Sequence, residues 1–112
     1  MHEYGLTRQI IDTASAYAKG EKIKTVALRI GGMSGVSGES VAMYFDIAAE
    51  GTPCEGAELI IEYVKPLLKC VDCGIFFERK PFSFMCACGG AGVPTETGRE
   101  FLIKYIETEN NE

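Results

Sequence analysis

Four of the five cysteines in this chain arrive in two close pairs, and the chain has a single histidine, at position two. Cys70-Val71-Asp72-Cys73 is a C-x-x-C. Cys86-Ala87-Cys88 is a tighter C-x-C that follows after twelve intervening residues. Four thiols so arranged suit one tetrahedral Zn²⁺, which takes four S or N ligands, with Zn–S near 2.3 Å. A hairpin between the pairs would bring them together, and Gly74 and Gly89 stand where each metal-binding turn must relax. The shortened second pair still lets both sulfurs reach one ion, but it leaves fewer backbone N–H groups facing them. Other readings fit less well. A redox C-x-x-C belongs at a helix start, whereas Val71, Ile75, Phe76 and Phe77 look like ribbon strand. Two structural disulfides need an oxidising compartment, and no segment has the order of a secretion signal. Cys54, in Thr52-Pro53-Cys54, reads as an ordinary free thiol.

His2 is notable for its position. The α-amine of Met1, the backbone nitrogen of His2 and its ring Nδ1 can close two fused chelate rings, giving a nearly planar set of three nitrogens. Such ligation suits Ni²⁺ or Cu²⁺. It leaves one in-plane place open for Glu3, through its carboxylate or backbone nitrogen, or for a partner's ligand. Amine and imidazole titrate near 8 and 6.5, so uptake there should weaken in mild acid.

The elements that must position these groups are legible in the periodicity. Residues 3–19 read as a helix with Leu6, Ile10, Ala14 and Tyr17 on its buried stripe, widened by Ile11 and Ala18, and with Gly20 as its stop. Residues 22–30 read as a half-buried strand, Val26, Leu28 and Ile30 alternating with Thr25, Ala27 and Arg29. The following GGMSGVSGES lacks G-K-[ST] and the G-x-G-x-x-G spacing, so it is a loop and helix cap rather than a phosphate cradle. Ser37 or Gly38 caps a helix over 38–50 that buries Val41, Phe45 and Ala48. A turn at 51–56 leads to a long strand, 57–68, with Pro66 at its exit. After the cysteines, residues 101–107 form a last strand, and the terminal ETENNE is expected to fray. The fold expected is α+β: a three-stranded mixed sheet with both helices on one face, and a zinc-ribbon lobe inserted between the last two strands. Those two strands, flanking the lobe like hairpin legs, are expected to be antiparallel neighbours. Residues 1–66 and 94–112 would form the α/β domain, and 67–93 the zinc-binding one.

Composition narrows the function. A net charge of −5 and a pI near 4.9 argue against phosphate-backbone binding, which needs clustered cations. No apolar run approaches the ~20 residues that span a bilayer. A cytoplasmic protein is expected, without nucleic-acid or membrane partners.

The chain resembles the HypA/HybF family of hydrogenase-maturation nickel chaperones. The likeness is carried by MHEYGLTRQII, RIGGMSGVSGESV, EGAELIIEY, the C-x-x-C-G of Cys70–Gly74 and GREFLIKYIE, and it spans essentially the whole chain. It departs from the family at Cys86-Ala87-Cys88, where C-x-x-C is usual. The resemblance implies exchangeable Ni²⁺ at Met1, His2 and Glu3, and structural Zn²⁺ at Cys70, Cys73, Cys86 and Cys88. It also implies a non-enzymatic role, delivery of nickel to the large subunit of [NiFe]-hydrogenase with a nickel-binding GTPase as partner. Some relatives also serve urease. The chain would act as a monomer or homodimer. The alternative is a zinc-ribbon adaptor for protein or nucleic acid, with Lys65, Lys69, Arg79 and Lys80 on the ribbon; a thiol oxidoreductase is a third reading.

Overall fold

The structure is a computed structural model that describes residues 2–79 and 83–109, His2 by its backbone alone. Helix α1 (His2–Ala18) buries Thr7, Ile10, Ile11, Ala14 and Ala18, one continuous stripe at three- and four-residue spacing. Thr7 belongs there because its hydroxyl donates to the Glu3 carbonyl at 2.6 Å, satisfying a group that would otherwise be costly to bury. Tyr17, expected on that stripe, is 75 % exposed. The helix stops where Lys19 (φ 54°) and Gly20 (φ 86°) turn left-handed.

Strand β1 (Ile23–Gly31) is the centre of the first sheet. It is buried along nearly its whole length, on both faces rather than one, with only Lys24 exposed and Arg29 half-buried. Helix α2 (Gly38–Ala48) starts at Ser37, whose hydroxyl accepts from the Ser40 N–H at 3.2 Å. It crosses over to β2 (Glu58–Val64), which pairs parallel with β1 in the register Val26 to Leu59 and Leu28 to Ile61. A parallel pair requires such a crossover. The expected long strand 57–68 is divided at Lys65-Pro66: β2 ends at Val64, and β3 (Leu67–Cys70) begins a second sheet. Proline has no N–H to give either ladder, so the break falls there.

In the second sheet β3 lies between β4 (Phe76–Glu78) and β5 (Gly92–Pro94), both antiparallel to it. The last strand, β6 (Phe101–Thr108), returns to the first sheet and pairs antiparallel with β1, so the order is β2-β1-β6. β2 and β6 are therefore not neighbours; the central strand separates them. Once β1-α2-β2 has filled one side of β1, only its other side is open to β6. The strand also runs further than expected, with Thr108 opposite Ile23, so Glu107 and Thr108 are ordered within the sheet.

Both helices cover one face. Ile10, Ile11, Ala14, Val41 and Phe45 close over Val26, Leu28 and Ile30, with Leu59, Ile61, Ile103 and Ile106 at the margin. On the open face, Glu62 accepts from Arg29 and Lys104, each at 3.1 Å, which ties β2 and β6 across β1.

The two sheets join at a neck of close backbone contacts. A Cβ on Gly31 would stand 2.1 Å from the Gly98 carbonyl carbon, and one on Gly98 (φ +97°) 2.5 Å from Pro66 Cα. Gly31 N–H donates to Glu100 O at 2.7 Å, Gly32 N–H to Val64 O at 2.9 Å and Met33 N–H to Gly98 O at 2.6 Å. The glycine-rich segment after β1 is thus a clasp on the strands that enter and leave the cysteine lobe.

Candidate metal centres

The second sheet exists to bring two turns together. The first follows β3: Cys70 is its last residue, the Gly74 N–H donates to Cys70 O at 3.1 Å, and Gly74 takes φ +79°. The second is closed by the Gly89 N–H donating to Cys86 O at 2.9 Å, with Gly89 at φ +92°. Both glycines stand in the left-handed region that a side chain disfavours. A Met85–Ala91 bridge, and a Cys86 N–H bond to Gly90 O at 2.8 Å, lash the second turn together.

As a result the Sγ atoms of Cys70, Cys73, Cys86 and Cys88 lie within 4.8 Å of one another. Cys70 and Cys88 sulfurs are 3.5 Å apart, Cys73 and Cys86 sulfurs 3.7 Å. A regular tetrahedron of sulfurs around Zn²⁺ has edges of about 3.8 Å for ligands at 2.3 Å, so the donor set fits that ion. The separations are far too long for an S–S bond of about 2.05 Å. Cys70 and Cys86 are buried, while Cys73 and Cys88 face solvent.

Electrostatics distinguishes the sulfurs. The Cys73 and Asp72 N–H groups both point at Cys70 Sγ, at 3.4 Å each. That holds the Cys70 thiol down at about 6, the Cys73 N–H contributing most and desolvation opposing it. At Cys88 the Gly90 N–H pulls the thiol down, but Cys70, Cys73 and Cys86 crowd it and push it up to about 12. Cys73 is also raised: an N–H from Ile75 favours its thiolate, and desolvation and Cys70 outweigh that. Four neighbouring thiolates need a cation among them to coexist.

Two supporting residues are not obvious from the cysteine spacing. A Cβ on Gly90 would meet Asp72 Oδ2 at 2.6 Å and Cys70 Sγ at 2.7 Å, and one on Gly92 would meet the Phe77 ring at 2.5 Å. The Gly89-Gly90 doublet beside the C-x-C is the signal that such crowding leaves in sequence. Cys54, the remaining thiol, is fully buried in the main core, away from the cluster.

Of the amino-terminal candidates, Met1 and the His2 side chain lie outside the described residues. The His2 backbone opens α1, and Glu3 is the acidic residue of its first turn. Tyr4 meets the Tyr44 ring edge-on at 5.6 Å, and Arg8 Nη1 donates to Ala48 O at 2.8 Å, so α1 and α2 run in the same direction. Because α2 begins at Gly38, against Tyr63 near the end of β2, α1 begins toward the neck as well.

A family model described as hydrogenase/urease nickel incorporation, metallochaperone, hypA matches residues 1–108. The chain belongs to the HypA family. Its relatives include the hydrogenase maturation factor HypA of Caldanaerobacter subterraneus, 43 % identical over 114 residues, covering 97 % of this chain and all of that one. The HypA of a Nostoc species is 41 % identical over 110 residues, covering 97 % of this chain and 96 % of its own. Among solved structures, the solution structure of the Ni metallochaperone HypA from Helicobacter pylori superposes with a TM-score of 0.65 at 25 % identity, over 95 % of this chain and 96 % of that one. A second HypA solution structure gives 0.70 at 26 % identity, over 96 % of both. The family is one of nickel metallochaperones for hydrogenase maturation, and the two-helix mixed sheet with a four-cysteine lobe is consistent with it. Among the described residues no helix is long and apolar enough to cross a membrane.

Proposed function

We propose that this chain carries exchangeable Ni²⁺ on its amino terminus and a permanent Zn²⁺ on Cys70, Cys73, Cys86 and Cys88. The observation that carries this reading is the family match, which begins at residue 1 and so takes in Met1-His2-Glu3 as well as the four cysteines. Helix geometry supports it. The first N–H groups of a helix have no intrahelical acceptor, so a metal on the His2 backbone nitrogen breaks no bond of the α1 ladder. A cation at a helix start is disfavoured by the peptide dipoles, and an acidic residue there offsets that; Glu3 supplies it. Ligand softness separates the ions, thiolate favouring zinc and the mixed N/O set accepting nickel.

In this reading the chain acts in the cytoplasm without catalysing a reaction. Residues 1–66 and 94–112 serve as the nickel-carrying unit and 67–93 as the zinc unit. A nickel-binding maturation GTPase is the partner and the [NiFe]-hydrogenase large subunit the client, with urease as a second client.

The test is metal analysis of untagged protein. The wild-type chain should take up one nickel and one zinc, and His2→Ala should lose the nickel while keeping the zinc. Replacing Cys70 and Cys73 together by Ser should do the reverse. Nickel binding of unchanged affinity in His2→Ala would overturn the proposal.

A further inference from the structure

The clustered sulfurs differ in depth. Cys73 and Cys88 are exposed, whereas Cys70 and Cys86 are buried, so each turn contributes one sulfur of each kind. The short contacts run between the turns and join unlike sulfurs. Exposed Cys88 stands 3.5 Å from buried Cys70, and exposed Cys73 stands 3.7 Å from buried Cys86. An accessible thiolate with a second sulfur behind it is the arrangement that oxidants modify reversibly. A sulfenic acid formed on the first is captured by the second before it can be oxidised further.

Local geometry favours bonds between the turns over bonds within them. Cys70 Sγ is packed toward the second turn, where a Cβ on Gly90 would meet it at 2.7 Å. The Asp72 and Cys73 N–H groups hold it from its own turn, each at 3.4 Å. Closing the Cys70–Cys88 gap of 3.5 Å to bonding distance takes only about 1.5 Å. A Cys86–Cys88 bond would instead close a ring with Ala87 alone between the cysteines. Disulfides forced off their preferred geometry are strained and easily reduced.

We propose that the lobe is a peroxide-modification site, at which the chain exchanges its zinc for two disulfides, Cys70–Cys88 and Cys73–Cys86, that staple the same two turns. This rests on the zinc reading of the four cysteines and concerns what takes the place of the ion. The Cys88 sulfur attacks one oxygen of hydrogen peroxide; the O–O bond breaks, hydroxide leaves and Cys88 becomes a sulfenic acid. The Cys70 sulfur then attacks the Cys88 sulfur, the S–O bond breaks and a second hydroxide leaves. Cys73 and Cys86 repeat the sequence with a second peroxide. Four thiolates give up four electrons, two peroxides become four hydroxides, and the chain, left without thiolates, releases its metal. Both disulfides cross between the turns, so the oxidised lobe keeps the connection that the ion supplied. Reduction by thiol exchange returns the zinc-binding set.

The test treats the zinc-loaded, untagged chain with excess hydrogen peroxide. Zinc release is read with a chromophoric indicator, remaining thiols are alkylated after unfolding, and tryptic peptides are weighed without reduction. Cleavage after Lys69, Arg79 and Arg99 puts Cys70 and Cys73 on one peptide and Cys86 and Cys88 on another. Bonds between the turns give one joined species that reduction splits in two; bonds within the turns leave the peptides separate. The joined species is expected, with fragmentation placing Cys70–Cys88 and Cys73–Cys86. Cys54, buried in the main core, should remain a thiol. Zinc should fall from one per chain to none, and β3–β5 should keep their amide protection after oxidation. A thiol reductant with added Zn²⁺ should restore the starting chain. Separate peptides with internal disulfides, the opposite crossed pairing, sulfinate in place of disulfide, or thiols that peroxide leaves unmodified each overturn the proposal. Zinc content before oxidation judges the metal reading by itself: a chain purified without zinc refutes that reading, while its disulfide map still decides this one.

Discussion

Cys70 and Cys88, with sulfurs 3.5 Å apart, illustrate how proton and metal compete at the level of single side chains. At neutral pH and without metal, Cys70 is the thiolate, while Cys73 and Cys88 hold their protons. Binding Zn²⁺ as a tetrathiolate must displace those protons. Zinc uptake at pH 7 by the metal-free chain should thus release at least two protons per ion, measurable with an indicator dye in weak buffer. Affinity in chelator competition should rise with pH through neutrality. The sign for the metal-free lobe follows from the lowered Cys70 value: the thiolate's stabilisation is complete above the ordinary thiol range and is lost as pH falls through about 6. Cys54 behaves oppositely. Burial pushes its thiol up, the Ser15 contact only partly offsetting this, so an alkylating reagent should spare Cys54 in the folded, zinc-loaded chain and label it on unfolding. The four clustered thiols were legible from spacing because a tetrahedral ion constrains spacing. The Gly90 approach to Cys70 was not, because contact distance leaves no periodicity.

Elements were readable where one periodicity decided them. Helix α1 was placed to within a residue or so because its stripe and Gly20 agree, and the start of α2 because Ser37 caps it, although α2 ends at Ala48 rather than at 50. Tyr17 was misplaced: an aromatic one turn beyond Ala14 satisfies the pattern, but Ala18 already closes the contact. Removing the cap by Ser37→Ala should cost about 1 kcal/mol, read by thermal or urea unfolding. Strand order was harder. Alternation tells which way a side chain points but not which strand lies alongside, so β2 and β6 were wrongly expected as neighbours when β1 separates them. The neck glycines were likewise hidden, since a clasp and a flexible loop share one composition. Gly31→Ala discriminates: its Cβ would face backbone atoms of Gly98 that cannot rotate aside. The substitution should reach at least the upper end of the ~1–3 kcal/mol typical of overpacking, whereas Gly35→Ala, with open space around it but φ +80°, should cost less.

For the molecule as a whole, the two sheets are stabilised by different means. The first closes over Phe45, Ile11, Leu28 and their neighbours, whereas the second, among the described residues, buries little beyond Leu68, Cys70 and Cys86. A lobe so poor in apolar burial would draw folding free energy from a metal held by the four cysteines. A strong chelator should therefore abolish amide protection in β3–β5 while leaving that of β1, β2 and β6 in place, as hydrogen exchange would report. Protection lost equally across both sheets would show that the core needs the lobe. The parallel course of α1 and α2, together with the clasp at the end where α2 begins, has a further consequence: the molecule has a front and a back. The start of α1 and the cysteine appendage lie on the same side, so a recipient that grips the appendage already stands within reach of that helix end, and a single encounter can engage both.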